Sequence, residues 1–210
     1  MSGIFITFEG IDFSGKTEQA RRLAETLKSA GYDVELLREP GGVEIAEAIR
    51  NILLDAKHGG MTDRAELLLY SAARAQITKE KIQPALAAGK IIVVDRFVDS
   101  TIAYQGYGRQ LDLDFVRGVN LFATWATLPV ITFLLDIPLA VAAARLRQSG
   151  KAADRLERED PAFHQRVQQA YLQMAQSEPA RFVVIDGTPS MEAISQQINE
   201  TLRQRLGLKI

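Results

Sequence analysis

Apolar residues along this chain come in short, nearly continuous runs, separated by longer stretches in which they recur every three or four positions. The runs are Ile4-Phe5-Ile6-Thr7-Phe8, Val34-Glu35-Leu36-Leu37, Ile91-Ile92-Val93-Val94, Val130-Ile131-Thr132-Phe133-Leu134-Leu135 and Phe182-Val183-Val184-Ile185. β-Branched and aromatic residues dominate them, and a strand that is apolar on both faces needs cover on both, so they predict the strands of a buried parallel sheet. Between them, Gln19 to Lys28, Ile45 to Leu54 and Ala65 to Ala88 follow the helical period. The last stops at Gly89, and Pro84 is expected to kink or delimit it. Alternation of this kind predicts an α/β fold of three layers, αβα, around a five-stranded parallel sheet. Three of the runs end at Asp95, Asp136 and Asp186. Ligands of such sheets bind beyond the carboxyl ends of the strands, which puts these aspartates where chemistry is expected.

Composition narrows the classes. With 210 residues and 47% hydrophobic content the chain supports one core, and residues 1–210 read as a single domain. A net charge of -1 gives no electrostatic footprint for a nucleic-acid polymer or an anionic membrane. No apolar run approaches the ~20 residues that cross a bilayer, and no basic stretch leads an apolar signal core. A soluble, cytoplasmic protein is the expectation. The absence of cysteine excludes disulfides, thiolate nucleophiles and cysteine metal sites, leaving His58 and His164 as the available imidazoles. Both read as surface residues, and Trp125 reads as packing.

The chemistry starts after the first strand. Gly10-Ile11-Asp12-Phe13-Ser14-Gly15-Lys16-Thr17 is a complete phosphate-binding loop set between a strand and a helix. Its glycines let backbone N–H groups wrap a polyphosphate, Lys16 reaches the β and γ phosphates, and Thr17 offers a hydroxyl to Mg²⁺. GTPases, motors, transporters and small-molecule kinases all share such a loop. No Asn-Lys-x-Asp stretch is present, which weakens the GTPase reading. A second anion site favours a nucleotide kinase, and Arg38, Arg50, Arg74 and Arg96 are candidates for it because guanidinium binds phosphate bidentately. Taken singly, each is equally well an ordinary ion pair.

Further blocks follow in order: Arg38-Glu39-Pro40-Gly41-Gly42, Tyr70-Ser71-Ala72-Ala73-Arg74-Ala75-Gln76, Asp95-Arg96-Phe97, Ser100-Thr101-Ile102-Ala103-Tyr104-Gln105-Gly106 and Asp154-Arg155-Leu156-Glu157. With Glu9-Gly10-Ile11-Asp12 they closely resemble the thymidylate kinase family, which phosphorylates dTMP to dTDP with ATP. The likeness runs from Ile4 to the final helix. It implies direct in-line transfer between ATP and dTMP, with Mg²⁺, in dTTP supply, by a homodimeric enzyme. Leu67-Leu68-Leu69 are candidates for the dimer face, although core packing explains them equally well.

Residue by residue, the resemblance implies ATP binding by Gly10, Ile11, Asp12, Phe13, Ser14, Gly15, Lys16 and Thr17, with Arg145 against adenine. Thr17, and Asp95 through water, would hold the metal. Lys16, Arg96, Asp12 and Arg155 would be the catalytic set, with Arg38 and Glu9 arranged around the same centre. For dTMP it implies Asp12 at the 3′-hydroxyl and Arg38, Arg50 and Arg96 about the phosphate. Tyr70 would stack on thymine, Arg74, Thr101 and Gln105 would bond the base, and Tyr104 would crowd the sugar 2′ position. Residues 145–160, a run of mixed charge, resemble the mobile lid of bacterial members that lack a cation in the phosphate loop. Arg155, aided by Arg147, Lys151 or Arg158, is expected to close over ATP.

Three positions depart from the family pattern. Phe13 is bulky where a small residue is usual, and a positive φ there would strain the backbone. Glu18 replaces a hydroxyl residue and is expected to face away from the phosphates. Val130 replaces an aspartate, and nothing explains that change. Two other readings stay open: a related kinase with another acceptor, and a nucleotide-binding regulator that transfers nothing.

Overall fold

The computed structural model describes residues 3–150 and 154–210. Each apolar run forms one strand: β1 (Ile4–Glu9), β2 (Val34–Arg38), β3 (Ile91–Asp95), β4 (Ile131–Asp136) and β5 (Phe182–Asp186). All pairings are parallel, in the order β2-β3-β1-β4-β5, so β1 and the loop that follows it sit at the middle of the sheet. The three inner strands are buried along nearly their whole length, whereas β2 and β5 alternate as edge strands do. Val130 lies just outside β4 and donates its N–H to the Phe5 carbonyl.

The helices are α1 (Lys16–Ser29), α2 (Glu44–Leu54), α3 (Asp63–Ile77), α4 (Gln83–Ala87), α5 (Val98–Thr101), α6 (Leu113–Thr124), α7 (Leu139–Ser149), α8 (Pro161–Ser177) and α9 (Met191–Leu206). On one face of the sheet, Leu23 and Leu27 of α1 and Ile194 and Ile198 of α9 pack on Ile6, Phe8, Val93 and Phe133. On the other, Ile77, Ile82 and Phe97 cover Phe5, Ile92 and Val94, while Phe163 and Tyr171 of α8 cover Leu134 and Ile137. Three layers result.

The periodic stretch predicted as one helix from Ala65 to Ala88 is α3 and α4 joined by a wider, π-helical turn, Thr78–Ile82. Pro84 stands in the first turn of α4, where a missing N–H is tolerated best. A second π-helical stretch, Ile102–Gly108, follows α5 and carries Tyr104 and Gln105. Trp125 departs from its packing expectation: it is 54% exposed in a left-handed helix end, with the Lys79 ammonium over its ring. Among the described residues, no helix is long and apolar enough to cross a membrane.

Candidate active site

The loop after β1 turns sharply because Gly10 takes φ +139°; a Cβ there would lie 2.4 Å from the Leu135 carbonyl oxygen of β4. Gly15, at φ +96°, then starts α1, so the helix N-terminus and its free N–H groups face the loop. Phe13 does adopt a positive φ, 63°, the strained conformation its position raised. Phe13 lines a largely apolar cleft of about 730 Å³, open to solvent, with Leu139, Ala142 and Leu146 of α7. Glu18 accepts hydrogen bonds from Arg21 and Arg22 on the outer side of α1, which hold its carboxylate off the loop.

Inside the loop, the buried Lys16 ammonium donates to the Ile11 carbonyl at 3.2 Å and stands 3.9 Å from Asp12. Burial, with Arg96 nearby, lowers its pKa against the pull of Asp12, Asp95 and Glu9. Thr17 Oγ1 donates to Asp95 Oδ2 at 2.5 Å, while Asp95 Oδ1 is buried with no partner. Arg145, from α7, lies across the loop and donates to the carbonyls of Phe13 and Gly187 at 3.0 and 2.9 Å.

Arg96 ties this loop to a second cleft. At φ 70°, immediately after β3, it reaches Gly10 O at 3.0 Å and Asp12 Oδ1 at 2.5 Å. Tyr104 donates its hydroxyl to the other Asp12 oxygen at 2.9 Å, and the Arg96 guanidinium lies 5.2 Å from the Tyr104 ring centre. Burial works against the ionised Asp12, but Arg96, Lys16 and the tyrosine hydroxyl overcome it and hold its pKa below the ordinary carboxylate range. Behind Arg96 sits Glu9, fully buried, accepting from Phe97 N, Ser100 Oγ and Tyr171 Oη. Burial and the neighbouring Asp99 push its pKa up to about 7 despite Arg96.

The second cleft holds about 530 Å³ of space open to solvent. Asp12, Arg50, Tyr70, Arg96, Thr101, Tyr104 and Gln105, seven of the residues expected around an acceptor, all line it. Two expected members do not. Arg74 lies behind the wall, buried, with Nε on Glu39 at 2.7 Å and the rest of its guanidinium on Thr101, Asn120 and the Phe97 carbonyl. Arg38 stands on edge strand β2 and makes a two-pronged ion pair with Glu47. Burial pushes the Glu39 carboxyl up to about 7, against the pull of Arg74.

Arg155 is also placed differently from its expectation. It is buried, donating to the Leu53 carbonyl at 2.9 Å and pairing with Glu66 at 2.5 Å, while its neighbours Asp154 and Leu156 line the second cleft. Arg147 is exposed, and Lys151 lies outside the described residues. His58 bonds the Ile52 carbonyl and His164 borders the apolar cleft; among the described residues no cluster of three metal-ligating side chains occurs.

Sequence reasoning missed Glu66, Glu39, Asn120 and Tyr171. Glu66 had a signal: it precedes Tyr70 and Arg74 by one and two helical repeats and so shares their face. Tyr171 had none, because its partner Glu9 is 162 positions away.

Known proteins agree with this arrangement. A family model for thymidylate kinase matches residues 8–198. A thymidylate kinase of Geobacter sulfurreducens is 49% identical over 97% of this chain and 98% of its own length. One from Citrifermentans bemidjiense is 48% identical over 97% and 93%. The crystal structure of thymidylate kinase from Ehrlichia chaffeensis superposes with a TM-score of 0.79 at 34% identity, covering 96% of this chain and 99% of that one. Matched over nearly its whole length by these proteins, the chain belongs to the thymidylate kinase family.

Proposed function

We propose that the chain transfers the γ-phosphoryl group of ATP to dTMP, giving dTDP and ADP, in dTTP supply. One observation carries the reading: Asp12, a member of the phosphate loop, also lines the neighbouring cleft and is joined there to Arg96 and Tyr104. The two nucleotide sites therefore share a wall. A phosphate oxygen of dTMP attacks the γ-phosphorus in line, and the bond to the bridging oxygen of ADP breaks. That nucleophile is already ionised, so no general base is needed and catalysis is positioning with charge compensation.

Gly10 to Thr17 hold the ATP phosphates, with Lys16 on the β and γ groups, and Arg145 borders the adenine. Arg96 lies between acceptor and transferred phosphate, and Arg50 meets the acceptor phosphate from across the cleft. Tyr70, Thr101 and Gln105 receive the base, and Arg74 supports that wall from behind by holding Thr101. Tyr104 occupies space that a ribose 2′-hydroxyl would need. Arg38 joins the acceptor phosphate only by leaving Glu47. Asp95, with one buried unpartnered oxygen beside the Thr17 hydroxyl, fits a hydrated Mg²⁺. That ion, when bound, neutralises charge on the β and γ phosphates.

Residues 145–160 serve as the lid. Arg147, which is exposed, Lys151 and Arg158 are its other candidates for ATP, whereas Arg155 reaches ATP only by breaking a buried ion pair. A homodimer is supported by exposed apolar side chains on three adjoining helices: Ile45 and Ile52 of α2, Leu68 of α3, and Phe115 and Phe122 of α6, the last 85% exposed. Of the three leucines, Leu67 belongs to the core. The protein acts in the cytoplasm.

A coupled assay of ADP release, with ATP and each nucleoside monophosphate in turn, tests the reading. The highest kcat/KM is expected with dTMP. Faster turnover of dCMP or dUMP overturns the substrate, and no release with any acceptor supports a regulator instead.

A further inference from the structure

Glu66 is a carboxylate with no exposed surface, held in the wall between the acceptor cleft and the segment after α7. Its Oε2 takes Arg109 Nη2 at 3.0 Å and Arg155 Nη1 at 2.5 Å, and its Oε1 takes the side-chain Nε2 of Gln105 at 2.7 Å. Arg109 also pairs with Glu159 at 2.6 Å. Two guanidinium groups on one carboxylate keep it ionised: burial opposes the charge, but Arg109, Gln105 and Arg155 together hold its pKa below the ordinary value.

An ionised carboxylate accepts hydrogen bonds and donates none. A glutamine amide is otherwise free to present either end, but here only its NH₂ can face Glu66. The carbonyl oxygen of Gln105 is left over. No protein donor bonds it among the described residues, and Gln105 lines the cleft while only 1% exposed. The cleft thus offers an incoming base a fixed acceptor with no freedom to become a donor.

We propose that Glu66 sets the hydrogen-bonding sense of Gln105 and thereby makes the acceptor cleft select pyrimidines that present a ring N–H. Thymine and uracil carry a donor at N3. Cytosine carries a lone pair there, which would face the Gln105 oxygen and leave both atoms unpaired in a desolvated site. Glu66 touches no substrate. It is a positioning residue, and the inference rests on the acceptor cleft being the nucleoside-monophosphate site.

The test compares dTMP with dCMP, by equilibrium calorimetry and by kcat/KM, for the full-length protein and two variants. The wild type should favour dTMP on the order of 100-fold. In Glu66→Gln the new amide both donates and accepts, so Gln105 can turn over. Glu66→Asp keeps a counter-ion for both arginines but withdraws the oxygen from Gln105 by one methylene. In either variant the dTMP to dCMP ratio should fall on the order of tenfold, carried by the dCMP side as much as by dTMP.

A folded variant that binds both nucleotides more weakly by one common factor, leaving the ratio unchanged, overturns the proposal, because a merely structural residue behaves so. Should neither variant fold, the wild type decides: dTMP methylated at N3 should bind on the order of tenfold more weakly than dTMP, and equal binding overturns the proposal. A wild type that turns over no acceptor defeats the transferase reading, whereas the calorimetric ratio still judges Glu66.

Discussion

Replacing Arg74 by methionine should be among the most damaging single changes outside the phosphate loop. Methionine fills much of the arginine stem's volume, so the loss is mainly polar. Arg74 is 2% exposed and makes a 2.7 Å ion pair with Glu39, itself 5% exposed. Its other bonds go to Thr101, to Asn120 Oδ1 at 2.9 Å and to the Phe97 carbonyl at 3.0 Å. Removing one partner of a buried pair destabilises by about 3–5 kcal/mol. For a chain of this length that corresponds to a fall in Tm of roughly 6–20 °C.

The loss should also depend on pH. Glu39 titrates at about 7 in the folded protein against an ordinary 4.5, so the unfolded chain binds fewer protons between those values. Wild-type stability therefore falls as pH rises from 4.5 to about 7 and levels off above, because both states are then ionised. Without Arg74 the folded pKa moves higher still, and the decline continues beyond pH 7 by about 1.4 kcal/mol per unit. Denaturant unfolding at about pH 7 and about pH 8.5 should thus show the variant's deficit growing by about 2 kcal/mol. Adding Glu39→Gln should abolish that growth and recover part of the stability. A deficit under about 1 kcal/mol, or one indifferent to pH, or a double variant no more stable than the single one, would refute the reasoning.

Gly10→Ala forces a Cβ to within 2.4 Å of the Leu135 carbonyl, so ATP affinity by calorimetry should drop by more than about tenfold; an unchanged Kd counts against the loop geometry. Asp12→Asn removes the charge that Arg96 and Lys16 neutralise, so kcat should fall on the order of 100-fold, and Tm should fall as well because the folded state favours the ionised Asp12. Because Asp12 stays ionised well below the usual carboxylate range, the pH–rate profile should show no acid limb from it above about pH 4. Glu9→Gln should flatten the part of the stability decline between pH 4.5 and about 7 that Glu9 contributes, up to roughly 3 kcal/mol, seen in unfolding curves across that window. Arg155→Ala, with its neighbours Asp154 and Leu156 in the acceptor wall, should raise the KM for dTMP more than that for ATP; a fall in kcat with dTMP KM unchanged would place Arg155 over ATP instead.

What was legible in the sequence is what the backbone dictates. The three inner strands were readable because a strand buried on both faces has little choice but β-branched and aromatic residues, and those runs stop where the chain turns. Phe13 drew attention for the same reason: a loop that cups phosphate demands a φ that only glycine takes freely, and the residue sits at φ 63°. Arg96 was readable too, since the end of an inner strand leaves the next residue little freedom of direction. Side-chain partnership was less readable. Arg38 ends an edge strand, so nothing confines it, and it turned to Glu47. Arg155 stands in a stretch whose acidic neighbours suggested a solvated, mobile run, yet its partner Glu66 is 89 positions away and buried. Local charge pattern has no knowledge of such a partner. The physical reason is desolvation: an exposed arginine in a mixed-charge run gains little from any one carboxylate, whereas a buried carboxylate such as Glu66 requires cations and draws them from wherever the fold brings them. A buried acid on the same helical face as a recognised site residue is therefore the feature to look for when deciding which arginines of a mixed-charge run are free.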